Sequence, residues 1–380
     1  MKILMIGPFP PVVNGVTVSN DFLYRWLVSK GQDVSKINTE TGLIASKQGD
    51  KLSISKILAF LSIYVHIFKV PGKSSVYMAI GQTFWGLVKY SPFILICKLL
   101  GIPYILHIHG GYVCNAYALM SASKKRIFRS LLEGSRSVIA LSTSLATDLG
   151  KTFPNAHIDV VENFYDPMLI QNPIERKSHA VPRLLFLSNL MLGKGVLDFL
   201  DALLILKNDK QLEFEVALAG NIEKGIGDTL KQKIDALEGR VHFFGLADFD
   251  KKKELLYWSD IFVLPTWYIM EGQPLSIIEA YVTGNIVIST HQGGIKDISN
   301  YETFFKAEAQ NSVALSYTLE SIIAQRLTLQ SGLQATAEAA QKRFDPENFL
   351  HAIERILNAQ GAKSILAKKS RPGTVKHEPV

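Results

Sequence analysis

Two carboxylates, Glu271 and Glu279, are separated by seven residues in the run Glu271-Gly272-Gln273-Pro274-Leu275-Ser276-Ile277-Ile278-Glu279-Ala280. Pro274 suits the first turn of a helix, where its fixed φ fits and its missing N–H would have no acceptor; Gly284 suits the helix end. Glu271 then lies in the loop above the helix and Glu279 in its second turn. The backbone N–H groups of Leu275 and Ser276 are left without intrahelical acceptors, at the positive end of the helix dipole. Such a turn can hold a phosphate. The carboxylates on either side can accept hydrogen bonds from sugar and ribose hydroxyls, a set of needs that suits a sugar nucleotide. A surface glutamate followed by a helix-face glutamate would give the same letters, but the loop His291-Gln292-Gly293-Gly294-Ile295 downstream disfavours that plainer account.

Three weaker signals precede it. Gly7-Pro8-Phe9-Pro10-Pro11 and Asn14-Gly15 join an apolar run to a helical pattern, where free N–H groups attract phosphate and Gly15 lets a ligand approach the backbone. Taken alone, this is an ordinary strand-to-helix turn, and the dinucleotide fingerprint G-x-G-x-x-G is absent. His107 and His109 alternate along a strand and share one side of it, followed by Gly110-Gly111. No carboxylate or cysteine nearby completes a metal site. His107 reads as a buried, hydrogen-bonded residue, whereas His109 serves equally as a rim residue and as a ligand contact. Ser188-Asn189-Leu190 leads to Gly193-Lys194-Gly195, where a lysine at a helix start can offer its ammonium to phosphate.

The elements that must carry these residues are short apolar runs alternating with helical patterns. Strands are expected at Lys2–Ile6, Asp33–Asn38, Ser75–Ile80, Tyr104–His109, Ser137–Leu141 and Ile158–Glu162. A second series covers Leu184–Leu187, Phe214–Ala219, Val241–Phe244, Ile261–Leu264 and Asn285–Ser289. Helices are expected at Val16–Lys30, Gly195–Lys207, Asp250–Trp258 and Pro346–Asn358. Such alternation implies parallel sheets covered on both faces. Residues 1–165 read as one doubly wound domain, 166–182 as a proline-rich linker, and 183–345 as a second domain. A helix over 346–360 is expected to pack back toward the first, before a basic, disordered tail over 361–380.

Composition narrows the classes. The 380 residues are 47% hydrophobic and 20% charged, which excludes wholesale disorder. Two cysteines, Cys97 and Cys114, exclude a disulfide scaffold and a multi-thiolate zinc site. No signal peptide or membrane-spanning helix is read; the apolar stretch Leu52–Val70 is broken by Lys56, His66 and Lys69. The net charge of +7 is one-sided: residues 1–175 hold 17 Lys/Arg against 10 Asp/Glu, and residues 176–380 hold 24 of each. Nucleic acid is disfavoured, because interleaved basic and aromatic residues are not evident.

Together these motifs resemble the retaining glycosyltransferases of family four, which have the GT-B fold: two Rossmann-like α/β domains facing a deep cleft. The resemblance extends to about residue 360. It rests on the Gly7–Pro11 and Asn14-Gly15 loop, His109-Gly110-Gly111, Val161-Glu162-Asn163, Ser188-Asn189-Leu190 with Lys194-Gly195, Phe244-Gly245-Leu246, Glu271 with Glu279, and Gly293-Gly294. It implies a catalytic centre lined by His109 and Glu271. Donor contacts would come from Gly15, Asn189, Lys194, Gly245, Leu246, Gly272, Gln273, Pro274, Leu275, Ser276 and Glu279. Lys194 would neutralise the departing diphosphate, Glu271 would hold the sugar and Glu279 the ribose. Many members carry arginine where this chain has Asn189, so one expected diphosphate cation is missing.

The implied activity is transfer of a hexose, with retention, from a nucleoside-diphosphate sugar to a hydroxyl of a glycan or lipid-linked acceptor in bacterial polysaccharide biosynthesis. UDP is the expected nucleotide, and O-antigen or capsule-type enzymes are the nearest likeness. No cofactor or metal is expected. The competing accounts are a GT-B epimerase or hydrolase, and a non-catalytic sugar-nucleotide-binding subunit. The expected location is the cytoplasm, with the basic first half and its apolar segments Ile54–Val70, Phe93–Leu100 and Lys124–Leu132 suited to the anionic inner face of the membrane.

Overall fold

The computed structural model describes residues 1–12, 14–40, 62–175 and 179–359. The first sheet is built from β1 (Lys2–Gly7), β2 (Asp33–Asn38), β3 (Ser75–Ile80), β4 (Tyr104–Ile108), β5 (Ser137–Ala140) and β6 (Ile158–Val160), in the order β2-β1-β3-β4-β5-β6. The second is built from β7 (Arg183–Leu187), β8 (Glu215–Ala219), β9 (Val241–Phe243), β10 (Ile261–Leu264), β11 (Ile286–Ser289) and β12 (Phe304–Lys306), in the order β12-β11-β10-β7-β8-β9. Every strand pair in both sheets is parallel. The two-domain α/β reading of the sequence therefore holds.

Side-chain alternation explains how each strand serves two layers. Leu4 and Ile6 of β1 pack with Phe93, Ile94, Cys97, Phe128 and Leu132 on one face of the first sheet. Ile3 and Met5 pack with Leu23, Leu27, Phe349 and Ile353 on the other. The helix Gly15–Ser29 supplies Leu23 and Leu27 to that second layer, and Gly31, at φ +73°, ends it. The helix Pro346–Asn358 supplies Phe349, Leu350, Ile353 and Leu357, so the last described helix completes the first domain's core. The Phe349 and Phe164 rings lie 4.6 Å apart at the crossing.

Both sheets have a switch point, where consecutive growth along the sheet reverses. In the first it lies between β1 and β3, and in the second between β7 and β10. Loops leaving such a strand pair diverge to opposite faces and open a crevice beyond the strands' carboxyl ends. The motif loops Pro8–Gly15, Ser188–Gly195 and Pro265–Gln273 all leave switch-point strands.

Some elements differ from the sequence reading. Strand β4 ends at Ile108, which leaves His109 in the loop beyond it. The edge strand β12 and the helices Ser312–Gln325 and Gln330–Arg343 were not anticipated. Only three residues long and half exposed, β12 gives no period to detect. The segment after Phe164 is packed rather than loose, because Tyr165 and Leu169 are buried in the second domain's core. The tail beyond Gly361, and the part of the Leu52–Val70 stretch before Ser62, lie outside the described residues. Among the described residues, no helix is long and apolar enough to cross a membrane.

Candidate active site at the interdomain cleft

The loops leaving β7 and β10 bring Lys194 to Glu271. The lysine Nζ lies 2.9 and 2.7 Å from the two carboxylate oxygens. The Thr266 hydroxyl donates to the same carboxylate at 2.9 Å. Glu271 is only 6% exposed, so its charge is balanced locally by an ammonium and a hydroxyl. The lysine also lies over the Tyr268 ring, 5.3 Å from its centre.

Helix Leu275–Val282 begins after Pro274, which provides no side-chain cap. The amides of Leu275 and Ser276 have no acceptor within the helix, and both residues line the cleft. Glu279, also 6% exposed, accepts from the Lys252 ammonium of helix Phe249–Trp258. Each carboxylate of the pair thus has its own lysine, from a different element.

These groups face a cavity of about 520 Å³ between the carboxyl ends of the two sheets. Gly15, Gln82, His109 and Asn163 line it from the first domain. Asn189, Lys194, Leu246, Lys252, Glu271 through Ser276, and Glu279 line it from the second. Of the residues singled out in the sequence, Gly245 is absent from this lining; its carbonyl accepts from Gly220 N at 2.7 Å and shapes the turn before Leu246.

Two further expectations change. Asn14 caps helix Gly15–Ser29, and its side chain accepts from the amides of Val16 and Thr17 at 3.0 Å. That helix start is therefore no open phosphate cradle. Gly15 still lines the cleft, where an added Cβ would sit 3.8 Å from Leu275 Cδ1 across it. The Gln273 side chain is committed to the other domain: its carbonyl oxygen accepts from Asn163 N at 2.6 Å, and its amide donates to Glu162 at 3.0 Å.

Gln273 belongs to a seam of contacts on the Met270–Gln273 backbone between the domains. Gly111 N donates to the Glu271 carbonyl at 2.9 Å, Gln82 Nε2 to the Met270 carbonyl at 3.1 Å, and Asn163 Nδ2 to the Gln273 carbonyl at 2.7 Å. The approach leaves no room for side chains. A Cβ on Gly272 would fall 2.5 Å from the His109 carbonyl oxygen, and one on Gly111 2.8 Å from that of Glu271. On the far side of the second domain's loop, Gly294 N donates to the Gly272 carbonyl at 2.8 Å. Arg343 braces the same seam through Glu162, at 2.6 and 3.0 Å.

His109 hangs from this seam into the cleft. Its ring stacks on that of His107, centroids 3.9 Å apart, and His107 Nδ1 lies 2.6 Å from the Tyr77 hydroxyl. Burial lowers both histidines, His109 to about 3 and His107 well below its ordinary 6.5, with the neighbouring His109 adding to the effect on His107. Both imidazoles are neutral at physiological pH. The Nε2 of each is buried with no hydrogen-bond partner among the described residues.

Solved structures with the same arrangement decide the fold. A glycosyltransferase from Rickettsia africae ESF-5 superposes with a TM-score of 0.73 at 19% identity, over 94% of this chain and 98% of that one. A sucrose-phosphate synthase from Thermosynechococcus elongatus gives 0.76 at 16%, over the same shares. Anabaena HepE in complex with UDP gives 0.70 at 17%, over 95% of this chain and all of that one. The fold is GT-B. Residues 181–325 of the GT-B chain match the family model for glycosyl transferases group 1, the segment that carries Lys194, Glu271 and Glu279. No curated protein is a significant match.

Sequence reasoning missed Lys252, Gln82 and Thr266. Lys252 is the middle residue of Lys251-Lys252-Lys253, a run that looks like a solvated helix face. Helical spacing would have separated it from its neighbours only if the position of Glu279 were already known. Gln82 follows β3 at the first switch point, and position alone would have flagged it.

Two predictions follow from these environments. Lys194→Met leaves the Glu271 carboxylate buried without its cation, and is expected to cost about 3 kcal/mol in urea unfolding. Adding Glu271→Gln should recover part of that, and a cost near zero for the single change would refute the pairing. The depressed His109 pKa means that the native state binds fewer protons than the unfolded state between about 3 and 6.5. Its contribution is complete above 6.5 and is lost as pH falls, with a slope of up to roughly 1.4 kcal/mol per pH unit. His109→Gln should flatten the acid limb of unfolding free energy against pH. Parallel curves for the two proteins would contradict a neutral, buried imidazole.

Proposed function

We propose that the protein is a retaining, metal-independent glycosyltransferase acting on a nucleoside-diphosphate sugar, with UDP as the nucleotide. The observation that carries this is the Lys194–Glu271 pair beside the uncapped start of helix Leu275–Val282, with a second pair, Lys252–Glu279, one turn along. Similarity of fold to Anabaena HepE, solved with UDP, agrees with it.

The site is internally neutralised, two lysines against two glutamates. An arriving diphosphate offers both ammonium groups a new anionic partner, and the free amides of Leu275 and Ser276 add donors aimed at the same place. Glu271 and Glu279 are then released to accept from hydroxyls of the sugar and the ribose. Lys252 supplies the cation that Asn189 does not. In the reaction, the bond between the anomeric carbon and the diphosphate oxygen breaks, and the electron pair leaves with the diphosphate. Lys194, Lys252 and the helix start stabilise that charge. The acceptor oxygen attacks from the face the diphosphate leaves, and its proton passes to a departing phosphate oxygen. Configuration is thereby retained without a protein nucleophile. Neutral His109 lies at the cleft wall, suited to hydrogen-bonding the sugar and unsuited to protonating it.

Cations of the protein, rather than a metal, take up the leaving charge in this scheme. The acceptor is proposed to be a hydroxyl of a glycan or lipid-linked intermediate in polysaccharide assembly, on the strength of the sequence resemblance.

Calorimetry with UDP, GDP and ADP tests the donor. UDP is expected to bind, and Lys194→Ala and Lys252→Ala each to weaken it about tenfold, as expected for loss of a charge-assisted contact. Glu271→Gln should keep UDP affinity while losing about a hundredfold in turnover of the UDP-sugar with acceptor. Turnover should persist in EDTA. Absence of binding by all three nucleotides would overturn the reading, full turnover by Glu271→Gln would remove that residue from the site, and loss in EDTA would remove metal independence. Donor consumption without any acceptor would show hydrolysis or epimerisation instead.

A further inference from the structure

One face of the first sheet packs on a layer that includes Ile3, Met5, Leu23, Ile105, Phe349 and Ile353. A line of polar groups runs through this apolar layer. Asn20, Tyr77 and His107 stand in it, exposed by only 1%, 1% and 0%. Asn20 Nδ2 donates at 2.8 Å to the carbonyl of Pro8, a residue of the cleft lining. The Tyr77 hydroxyl lies 3.5 Å from Asn20 Oδ1 and 2.6 Å from His107 Nδ1. His107 in turn stacks on His109, where the line reaches the cleft. On the layer side the Phe349 ring is 6.4 Å from that of His107.

Stability does not account for this line. The Nε2 of His107 is buried with no hydrogen-bond partner among the described residues. A polar atom left in that state costs free energy that an apolar side chain at the same position would not.

What the line provides is direction. Burial raises the Tyr77 phenol far above its ordinary range, and the nearby Tyr90 adds to the effect, so the hydroxyl keeps its proton. That proton goes to the nearer acceptor, His107 Nδ1, rather than to Asn20. Neutral His107 then carries its own proton on Nε2. The bond from Tyr77 also fixes the rotation of the His107 ring about Cβ–Cγ. His109 has no such tether at Nε2, which is buried without a partner among the described residues. The plane of its ring therefore depends on what it packs against. That is the His107 ring, 3.9 Å away and 31° from parallel.

We infer that Tyr77 and His107 are positioning residues for the transfer. Tyr77 locks the His107 ring, and His107 holds the plane of His109 toward the donor sugar. Neither Tyr77 nor His107 lines the cleft, so both act through His109. The effect on turnover rests on the transferase reading; the coupling between the two rings does not.

Tyr77→Phe removes the hydroxyl and keeps the ring. With UDP-sugar and acceptor it should lower kcat about tenfold, the scale of one hydrogen bond, and leave UDP affinity and the donor KM within about twofold. In a His109→Ala background the same change should cost nothing further, because both act through one side chain. A residue that only fills the core would cost the same factor in both backgrounds, or nothing in either, and each of those results overturns the inference. Tyr77→Phe combined with His107→Phe guards against misfolding. With both partners apolar, the unfolding temperature should stay near the parental value while kcat remains low. Parental kcat in that pair would overturn the inference. Imidazole nitrogen NMR spectra of the full chain, with labelled histidine, read the coupling without turnover. The parent should show one fixed tautomer at His107, bare at Nδ1, and Tyr77→Phe should shift the His109 ring signals. Unshifted His109 signals would overturn the inference. Shifted signals in a protein that transfers no sugar would overturn the transferase reading and leave the coupling in place.

Discussion

One stretch of backbone, Met270–Gln273, is tied to the first domain, while the Glu271 side chain it carries belongs to the site in the second. Gln82, Gly111 and Asn163 donate to the carbonyls of Met270, Glu271 and Gln273 in turn. The Glu271 carboxylate is therefore located by the docking of two domains, and His109, whose own carbonyl lies against Gly272, is located by the same contact. The two backbones come within a direct hydrogen bond of each other at Gly111 and Glu271, where Gly111 and Gly272 leave out side chains that would clash.

This constraint also sets the electrostatics of the cleft. Glu271 and Glu279 are buried beside the seam, where carboxylates on their own would be strongly disfavoured. Lys194 and Lys252 arrive from the loop after β7 and from helix Phe249–Trp258, and neutralise one carboxylate each. Four charges sit in balance at a point where the fold leaves two helix amides without acceptors. That is an arrangement in which pairing can be exchanged for a ligand's charges without creating an isolated ion. The same burial leaves His109 and His107 uncharged, so the first domain contributes a polar but neutral wall.

Much of this was legible in the residues. Parallel strands buried on both faces have no choice but to be short apolar runs, and β3 and β10 follow the sequence reading residue for residue. Glu271, Pro274 and Glu279 were legible because a helix start has fixed rules for where its amides and second-turn side chains point. What could not be read depends on pairing across the fold. Gly111 and Gly272 are far apart in sequence, and nothing local says that they touch. Gln273 looks like one more donor contact until Asn163 and Glu162 are seen to occupy it. Lys252 is hidden by two lysine neighbours, and the free amides expected before Thr17 vanish because Asn14 caps them. Short β12 carries too few residues for any period.

The glycine seam holds the loop that carries Glu271 in place, and Gly272→Ala tests this most directly. The added Cβ would lie 2.5 Å from the His109 carbonyl oxygen, so either the domains part or the loop moves. Small-angle scattering and UDP calorimetry on this variant should show a larger radius of gyration and an affinity at least about tenfold lower, the scale of a strained close contact. The secondary structure should be unchanged. An unaltered radius of gyration together with parental UDP affinity would contradict the account.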